Sequence, residues 1–476
     1  MKKTIYLISL FIVLLGYSSC NNDNESLGLD IPREPKQNEI KLIYNSTAEN
    51  PEAMFYISGD DFRIDWGDGK ISTAKDLSKN NLFKHLYSKS REYIITISTN
   101  GSIDYFKNFS ADNIYEYQEE KVSDFESISI GQSVKIDKLY LQANGVKKVD
   151  INDQENVSET YILLGDQSWD LSMISASNLL IYAPHNLNLD IKNINVKRIL
   201  LNIKNTLNLF AISESPSMET IEVATNYPDT GTITELSITN LNSLKHLRIY
   251  SIKGDKANLT ELPRLESTKL TNFHYKTLDM NASHYTSPRN MTFQAEKISI
   301  TKVINLHPAL TEISIKNNQF DAENDIKELD LRPCSKLKSL EIRHLKTLST
   351  IAFSEQNQNL EEVILNQVPK LKSLDASKLV NLKRLQVLQA PVFSTAIFSE
   401  ENLYLAYLNF ESTSFSATDY IELVNSLPKS HIPNIPTVNR RRFYVIGNTP
   451  SLEDNKEVLN AIETLDKFYS VLISDK

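Results

Sequence analysis

Two aspartates and a histidine near the N-terminus have the side chains and spacing closest to those of a chemical site. Asp65 and Asp68 stand three residues apart in a glycine-containing turn, and His85 lies further along the chain. Two carboxylates could bind Ca²⁺, but that ion takes roughly six to eight oxygen ligands, and too few others are assured nearby. An aspartate in a Gly-Asp-Gly turn more commonly bonds the turn amides. We therefore expect a structural turn without metal, and an internal hydrogen-bonding role for His85.

No other group of side chains indicates catalysis. The eight histidines lack zinc-ligand spacing, and the chain has no G-x-S-x-G elbow, phosphate-binding loop or dinucleotide-binding turn. Cys20 and Cys334 are too few for a disulfide framework, and Cys334 is expected to be a small, partly buried thiol in a turn. The sequence thus predicts a protein that is not an enzyme and has no cofactor. A formal net charge of -9 predicts no nucleic-acid partner.

The first 20 residues are ordered like a bacterial export signal. Lys2 and Lys3 precede an apolar run over residues 5–15, which is too short to span a membrane, and small residues lead to Cys20. The segment resembles a lipoprotein signal of the Bacteroidota, as does the Asn-rich, acidic stretch after the cysteine. The resemblance implies cleavage before Cys20, lipidation of its thiol, and anchoring in the outer membrane with the protein facing outward. The alternative is a plain secretory signal.

A short hydrophobic repeat dominates the later half of the chain. The pattern L-x-x-L-x-L recurs every 11 or 12 residues, with first apolar positions at Ile326, Leu337, Leu348, Leu360, Leu371 and Leu382. Such a period predicts a solenoid, in which neighbouring turns cover one another's apolar edges. Less regular units upstream, such as the one that begins at Leu244, indicate a full repeat of about 22 to 27 residues with two strand-bearing halves. The pattern resembles leucine-rich repeats, in particular the all-β surface variety of the Bacteroidota. It lacks the fixed asparagine that the commoner form carries at the turn after the third apolar position, so no regular asparagine ladder is expected.

The segment before the repeats has the marks of a separate β module. Trp66 to Gly69 forms a W-G-D-G motif, His85 and Tyr87 form H-x-Y, and Tyr93 to Ile97 is a strand rich in β-branched residues. Three such marks in this order resemble the polycystic-kidney-disease (PKD) type of β-sandwich. That resemblance implies a spacer or a binding accessory.

Hydrophobic periodicity changes again after Phe410. Residues 417–428 have helical spacing with Thr418 as the N-cap candidate, residues 442–448 resemble a strand, and residues 452–469 resemble a second helix. A mixed segment of this kind suits the end of a solenoid, where the last core edge must be covered. The Arg440-Arg441-Arg442 triplet has two interpretations, a solvated entry to the strand or a contact with anionic groups.

The predicted fold class is therefore mainly β: a PKD-like β-sandwich, then a leucine-rich-repeat β-solenoid, then a mixed α/β C-terminal cap. The expected domains are a signal peptide (1–19), a tether (20–37), the sandwich (38–122), the solenoid (123–410) and the cap (411–476).

Function is expected on the outward side of the solenoid strands. Residues that alternate with the core positions there combine charged, polar and aromatic side chains, and the candidate ligand-binding residues are His246, Arg248, Tyr250, His274 and Arg343. We expect capture or adhesion of a macromolecule at the cell surface, a protein or a glycan, and contact with the membrane through the lipid alone. The alternative function is a glycan-binding accessory of a nutrient-uptake system, which clustered exposed aromatic residues would favour.

Overall fold

The computed structural model describes residues 35–476. The description leaves out the ranges 77–80, 109–124, 143–145, 152–156, 165–170, 172–173, 184–186, 205, 226–229, 281–290, 318–325, 431, 434–440, 449–450 and 475–476. The predicted signal peptide and nearly all of the tether thus lie outside the described residues. Among those described, no helix combines the length and apolar character that a membrane crossing requires.

The N-terminal part is built of short strands that pair mainly antiparallel. These strands are β1 (Glu39–Asn45), β2 (Glu52–Gly59), β3 (Phe62–Asp65), β4 (Ile71–Thr73), β5 (Leu82–Leu86), β6 (Glu92–Thr99) and β7 (Ser102–Lys107). Alternating burial along β2, with Ala53, Phe55 and Ile57 fully buried, shows how the period of two places one face of the strand in the core.

Parallel strands form the solenoid that follows. In chain order they are β8 (Phe125–Ile130), β9 (Lys135–Gln142), β10 (Val146–Ile151), β11 (Val157–Leu163), β12 (Ser175–Ala183), β13 (Leu187–Lys192), β14 (Asn195–Ile203), β15 (Thr206–Ser213), β16 (Thr220–Thr225), β17 (Gly231–Ile238), β18 (His246–Asn258), β19 (Ser267–Asp279), β20 (Met291–Asn305), β21 (Leu310–Lys316), β22 (Glu328–Asp330), β23 (Ser339–Arg343), β24 (Thr350–Ala352), β25 (Glu362–Asn366), β26 (Ser373–Asp375), β27 (Arg384–Leu388), β28 (Thr395–Ile397) and β29 (Tyr407–Glu411).

Each coil contributes one strand to a long parallel sheet and, in most coils, a second strand to the opposite side. The long sheet runs β9-β11-β12-β14-β16-β18-β19-β20-β21-β23-β25-β27-β29. Its register joins Ser339 to Glu362, then Arg384, then Tyr407, which gives a repeat of 22 or 23 residues. The opposite side carries β13-β15-β17 and the short pairs β22-β24 and β26-β28. The predicted repeat of two strand-bearing halves is confirmed, and the chain folds as a leucine-rich-repeat-like β-solenoid.

The two sheets of the N-terminal part both continue into the solenoid. Strand β7 pairs in parallel with β9, so the β5-β2-β7 strands extend the long sheet. Strands β8 and β10 belong to the same sheet as β1, β6, β3 and β4. Backbone hydrogen bonds therefore join strands from the two sides of the expected domain boundary between residues 122 and 123.

Core positions follow the predicted repeat. The fourth positions Leu340, Val363 and Leu374 are 0 %, 0 % and 1 % exposed, and they belong to one apolar cluster that extends through the solenoid.

Truncating Leu374 should therefore destabilise the solenoid. Leu374→Ala removes buried methyl groups on β26, opposite Ala396, and should lower the free energy of unfolding by about 2 to 5 kcal/mol. Leu86→Ala is the control with the same substitution, because Leu86 is 63 % exposed and its truncation should cost less than about 0.5 kcal/mol. Equal denaturation midpoints for the two variants would contradict the assigned repeat.

The C-terminal part adds two helices and two further strands to the long sheet. These elements are α1 (Ala417–Ser426), β30 (Arg441–Ile446), α2 (Lys456–Leu465) and β31 (Tyr469–Ser474), and the sheet ends in the order β29-β30-β31. Helix α1 begins after Ser416, whose hydroxyl accepts the amide of Asp419 while the Asp419 carboxylate accepts the amide of Ser416. The prediction of Thr418 as N-cap was wrong, because Ser416 has the suitable partner three residues later.

Candidate binding face

The outer face of the long sheet consists of the side chains that alternate with the core positions. On β18, His246, Arg248 and Tyr250 point outward and alternate with the fully buried Leu247 and Ile249. Because the strands are parallel and in register, outward residues of neighbouring coils form rows across the strands. Arg248, for example, is level with Glu222 on one side and Lys269 on the other.

Four of the five predicted binding residues lie on this outer face. His246, Arg248 and Tyr250 are adjacent on β18, whereas Arg343 is on β23, four strand steps away, or about 19 Å at a strand spacing of about 4.8 Å. One extended ligand could contact both groups, but a small molecule could not.

His274 does not lie with the other four. Strand β19 bends at Asn272, which has a left-handed backbone (φ 51°), and β18 bends at Ser251 in the same way (φ 56°). Beyond the bend the strand belongs to the opposite side of the coil, where His274 is level with Lys253. The Nε2 atom of His274 lies 2.9 Å from Asn272 Oδ1. The expectation that all five residues share one surface was wrong, because the template did not include this corner.

Charged residues of the outer face are arranged in clusters of opposite sign. Glu222 lies 3.5 Å from Arg198 on β14 and 3.8 Å from Arg248 on β18, so its carboxylate lies between the two cations. Glu341 lies 2.7 Å from Lys316 Nζ and 2.6 Å from Arg343 Nε. Partial burial opposes ionisation of Glu341, but hydrogen bonds from Lys316, Arg343 and Ser314 prevail and lower the pKa of this carboxyl group. The guanidinium of Arg343 is therefore held in a fixed place.

A group of tyrosines, here called the tyrosine patch, occupies the N-terminal end of the same face. The rings of Tyr140 and Tyr161 are stacked with centroids 4.4 Å apart and an interplanar angle of 11°, and Lys107 Nζ lies 5.0 Å from the Tyr140 centroid and 5.2 Å from that of Tyr105. Burial raises the pKa of Tyr140, and the carboxylates of Glu159 and Asp137 add to this shift. The repeat template did not identify this patch, because the units that fit the template begin at Val196, after these tyrosines. Its signal is a tyrosine between two core residues, as in Leu139-Tyr140-Leu141.

The N-terminal turn has the features of a structural element. Asp68 Oδ1 accepts the amide of Lys70, Asp68 Oδ2 lies 2.8 Å from His85 Nε2, and the His85 ring stacks on Trp66 at 4.8 Å. Within the described part of the chain, no cluster of three or more His, Cys, Asp or Glu residues has the geometry to hold a metal ion. The carboxylate of Asp68 thus organises the turn and orients the imidazole.

The arginine triplet and the cysteine have structural surroundings. Arg440 lies outside the described residues and Arg442 is exposed, but Arg441 is 1 % exposed and bonds backbone carbonyls. Neither interpretation of the triplet applies to Arg441, which is a buried residue of the cap. Cys334 is fully buried, and burial raises its thiol pKa to about 12, so the thiol is unreactive at neutral pH.

Comparisons with known proteins add little to these observations. No family model and no curated protein matches the chain. Seven chains of solved structures match, and one of them is TLR13 in a TLR13–ssRNA13 complex. That alignment has 11 % identity and a TM-score of 0.25, and it covers 74 % of this chain and 65 % of TLR13. The solenoid assignment therefore rests on the strand ladder described above.

Proposed function

We propose that this chain is a non-enzymatic surface lipoprotein that binds a macromolecule, a protein or a glycan, through the outer face of its long sheet. In this proposal the lipid on Cys20 anchors the protein in the outer membrane, and the N-terminal β module, which resembles the PKD type, holds the solenoid away from the lipid surface. The expected role is adhesion or capture.

The observation that carries the proposal is the size and composition of the outer face. From β9 to β30 the outer face is about 60 Å long. Each strand is about five residues long, so the face is about 14 Å wide. This area matches the approximately 800 Å² that each partner buries in a standard protein interface. The face combines charged clusters with the tyrosine patch, a mixture suited to specific recognition.

Binding should depend on the outward residues of the strands. Tyr250→Ala and Arg343→Ala should each weaken binding of a captured partner by about 1 to 3 kcal/mol if they lie at the centre of the interface, because aromatic and arginine anchors dominate such interfaces. Candidate partners would come from a pull-down and a glycan array with the purified full chain, followed by titration calorimetry of each variant.

Matched controls distinguish this result from a general loss of charge or stability. Arg332 pairs with the carboxylate two residues before it, as Arg343 does, but it lies beside β22 on the opposite side of the coil, so Arg332→Ala should leave binding unchanged. Asp68→Ala should lower the stability of the N-terminal module without affecting the site. Loss of binding in a folded Asp68→Ala variant, with the strand variants unaffected, would place the site in the turn instead.

Lipidation of Cys20 is a separate prediction. Mass spectrometry of the membrane-bound protein should find an acylated N-terminal cysteine, and Cys20→Ala should leave the chain unprocessed or release it from the membrane. Cys334→Ala is the control, because that thiol is buried in the solenoid and is not expected to affect processing. An unmodified Cys20 in the membrane fraction would exclude the anchor.

A further inference from the structure

A small cavity interrupts the outer face beside the tyrosine patch. It is partly open to solvent, has a volume of about 150 Å³ and lies over β11, β12 and β14. One row of side chains across these strands is apolar and consists of Tyr161, Leu180 and Leu200, which are direct neighbours in the register. The adjacent row is polar and consists of Glu159, Asn178 and Arg198. Each of the three strands thus supplies one apolar and one polar side chain.

Contacts outside the cavity hold its walls in place. Tyr161 stacks on Tyr140 with one ring face, and its hydroxyl donates to Glu159 Oε2 at 2.5 Å, so the orientation of both side chains is fixed. Arg198 is attracted to Glu222 on the next strand, with Nη2 and Oε2 3.5 Å apart. Because these side chains are ordered in advance, a ligand would not have to immobilise them on binding.

We propose that this cavity binds one pyranose unit of a glycan. A pyranose has C–H faces that pack on aromatic and aliphatic surfaces, and a rim of hydroxyl groups that both donate and accept hydrogen bonds. The apolar row provides such a surface. The polar row provides an acceptor in Glu159, a donor in Arg198, and both functions in Asn178. This inference rests on the proposed function, of which it specifies one ligand class and its place on the outer face.

The chemistry of the cavity walls favours this ligand over an apolar side chain of a protein. A cavity of about 150 Å³ accommodates a six-membered ring such as benzene. An apolar ring, however, would leave the carboxylate, amide and guanidinium groups partly desolvated without new partners, which opposes binding. A sugar ring replaces the water around these groups with its own hydroxyls.

Saturation-transfer difference NMR with the purified full chain tests the proposal. The probes are the methyl α- and β-pyranosides of glucose, galactose, mannose and N-acetylglucosamine, with benzyl alcohol as the apolar ring. At least one pyranoside should receive saturation in the wild type. Asn178→Leu, which keeps the approximate size but cannot hydrogen bond, should weaken its binding by about threefold to tenfold. Gln386→Leu is the matched control on β27 and should have no effect.

The remaining outcomes support or overturn the proposal. Tyr161→Phe retains the ring but loses the bond to Glu159, so it should fold and bind the pyranoside more weakly, a result that supports the site even if Asn178→Leu does not fold. The proposal is overturned if no pyranoside receives saturation, if Asn178→Leu and Gln386→Leu bind equally, or if benzyl alcohol alone shows Asn178-independent binding. In any of these cases, a partner whose binding depends on Arg343 would leave the broader proposed function intact.

Discussion

Gly254→Ala should destabilise the centre of the solenoid by more than about 4 kcal/mol, a loss that only severe local defects produce. A Cβ at this position would lie 1.9 Å from the carbonyl oxygen of Ile233 and 2.6 Å from Cε1 of Tyr275. Ile233, Gly254 and Tyr275 occupy successive coils, and the buried Tyr275 hydroxyl reaches past the glycine to donate to Ile233 O at 2.8 Å. Alanine would have to push the backbone of β17 away from β18. We expect a lower denaturation midpoint and faster amide exchange in both strands.

Two variants separate this steric effect from other causes. Gly101→Ala is the matched control, because the nearest atom to its added Cβ would be 3.7 Å away, and stability should change little. Tyr275→Phe keeps the ring but removes the hydroxyl, so the Ile233 carbonyl loses this buried bond and stability should fall by about 1 to 3 kcal/mol. If Gly254→Ala were as stable as Gly101→Ala, the close approach of the three coils would be refuted.

The repeat could be predicted from the sequence where its period is strict. Between Ile326 and Val387 the first, fourth and sixth positions carry apolar residues, and the strands β23 to β27 fall where the template places them. The period does not show that alternate units belong to opposite sides of the coil. It also does not show the left-handed corner that follows β23, β25 and β27, which is occupied by residues of such different chemistry as His344, Gln367 and Gln389.

Two buried asparagines, which lie two repeats apart, stabilise the C-terminal coils. Asn357 donates to the carbonyls of Leu331 and Cys334, and Asn402 donates to those of Ala376 and Leu379, at distances of 2.8 to 3.2 Å. Both residues are fully buried. No regular asparagine ladder was predicted, because the turn after the third apolar position carries no fixed asparagine. The signal is a Phe-Ser-Glu-x-Asn motif that recurs 45 residues later.

The candidate site could be predicted only in part, because a side chain's row depends on strand register. Alternation along β18 correctly placed His246, Arg248 and Tyr250 outward. The polar side of the cavity beside Tyr161 comes instead from three strands. Their register places Glu159, Asn178 and Arg198 side by side, although each is about 20 residues from the next in the sequence.

In the C-terminal part, the helix predicted at 452–469 is shorter, because Asn455 caps α2 and Tyr469 begins β31.

Arg441→Met should destabilise the C-terminal part by about 3 to 5 kcal/mol, because it leaves several buried backbone carbonyls without a donor, each at a cost of about 1 to 3 kcal/mol. The Arg441 guanidinium donates to the carbonyl oxygens of Leu403, Leu405 and Pro428 at 2.7 to 3.0 Å, and also to that of Ser430. It thereby ties the turn before β29 to the segment after α1. Although burial lowers the pKa of the Arg441 guanidinium, the group remains charged at neutral pH.

The neighbouring arginine provides the matched comparison for this prediction. Arg442 is exposed on the outer face, so Arg442→Met should change stability by less than about 0.5 kcal/mol. Arg441→Lys should be intermediate, because one ammonium group retains the charge but cannot span carbonyls that the planar guanidinium reaches in several directions. Hydrogen exchange in α1 and β30 should increase in the order Arg442→Met, Arg441→Lys, Arg441→Met. Equal exchange in all three variants would mean that the triplet is merely a solvated entry to the strand, and that the cap is held by its apolar contacts alone.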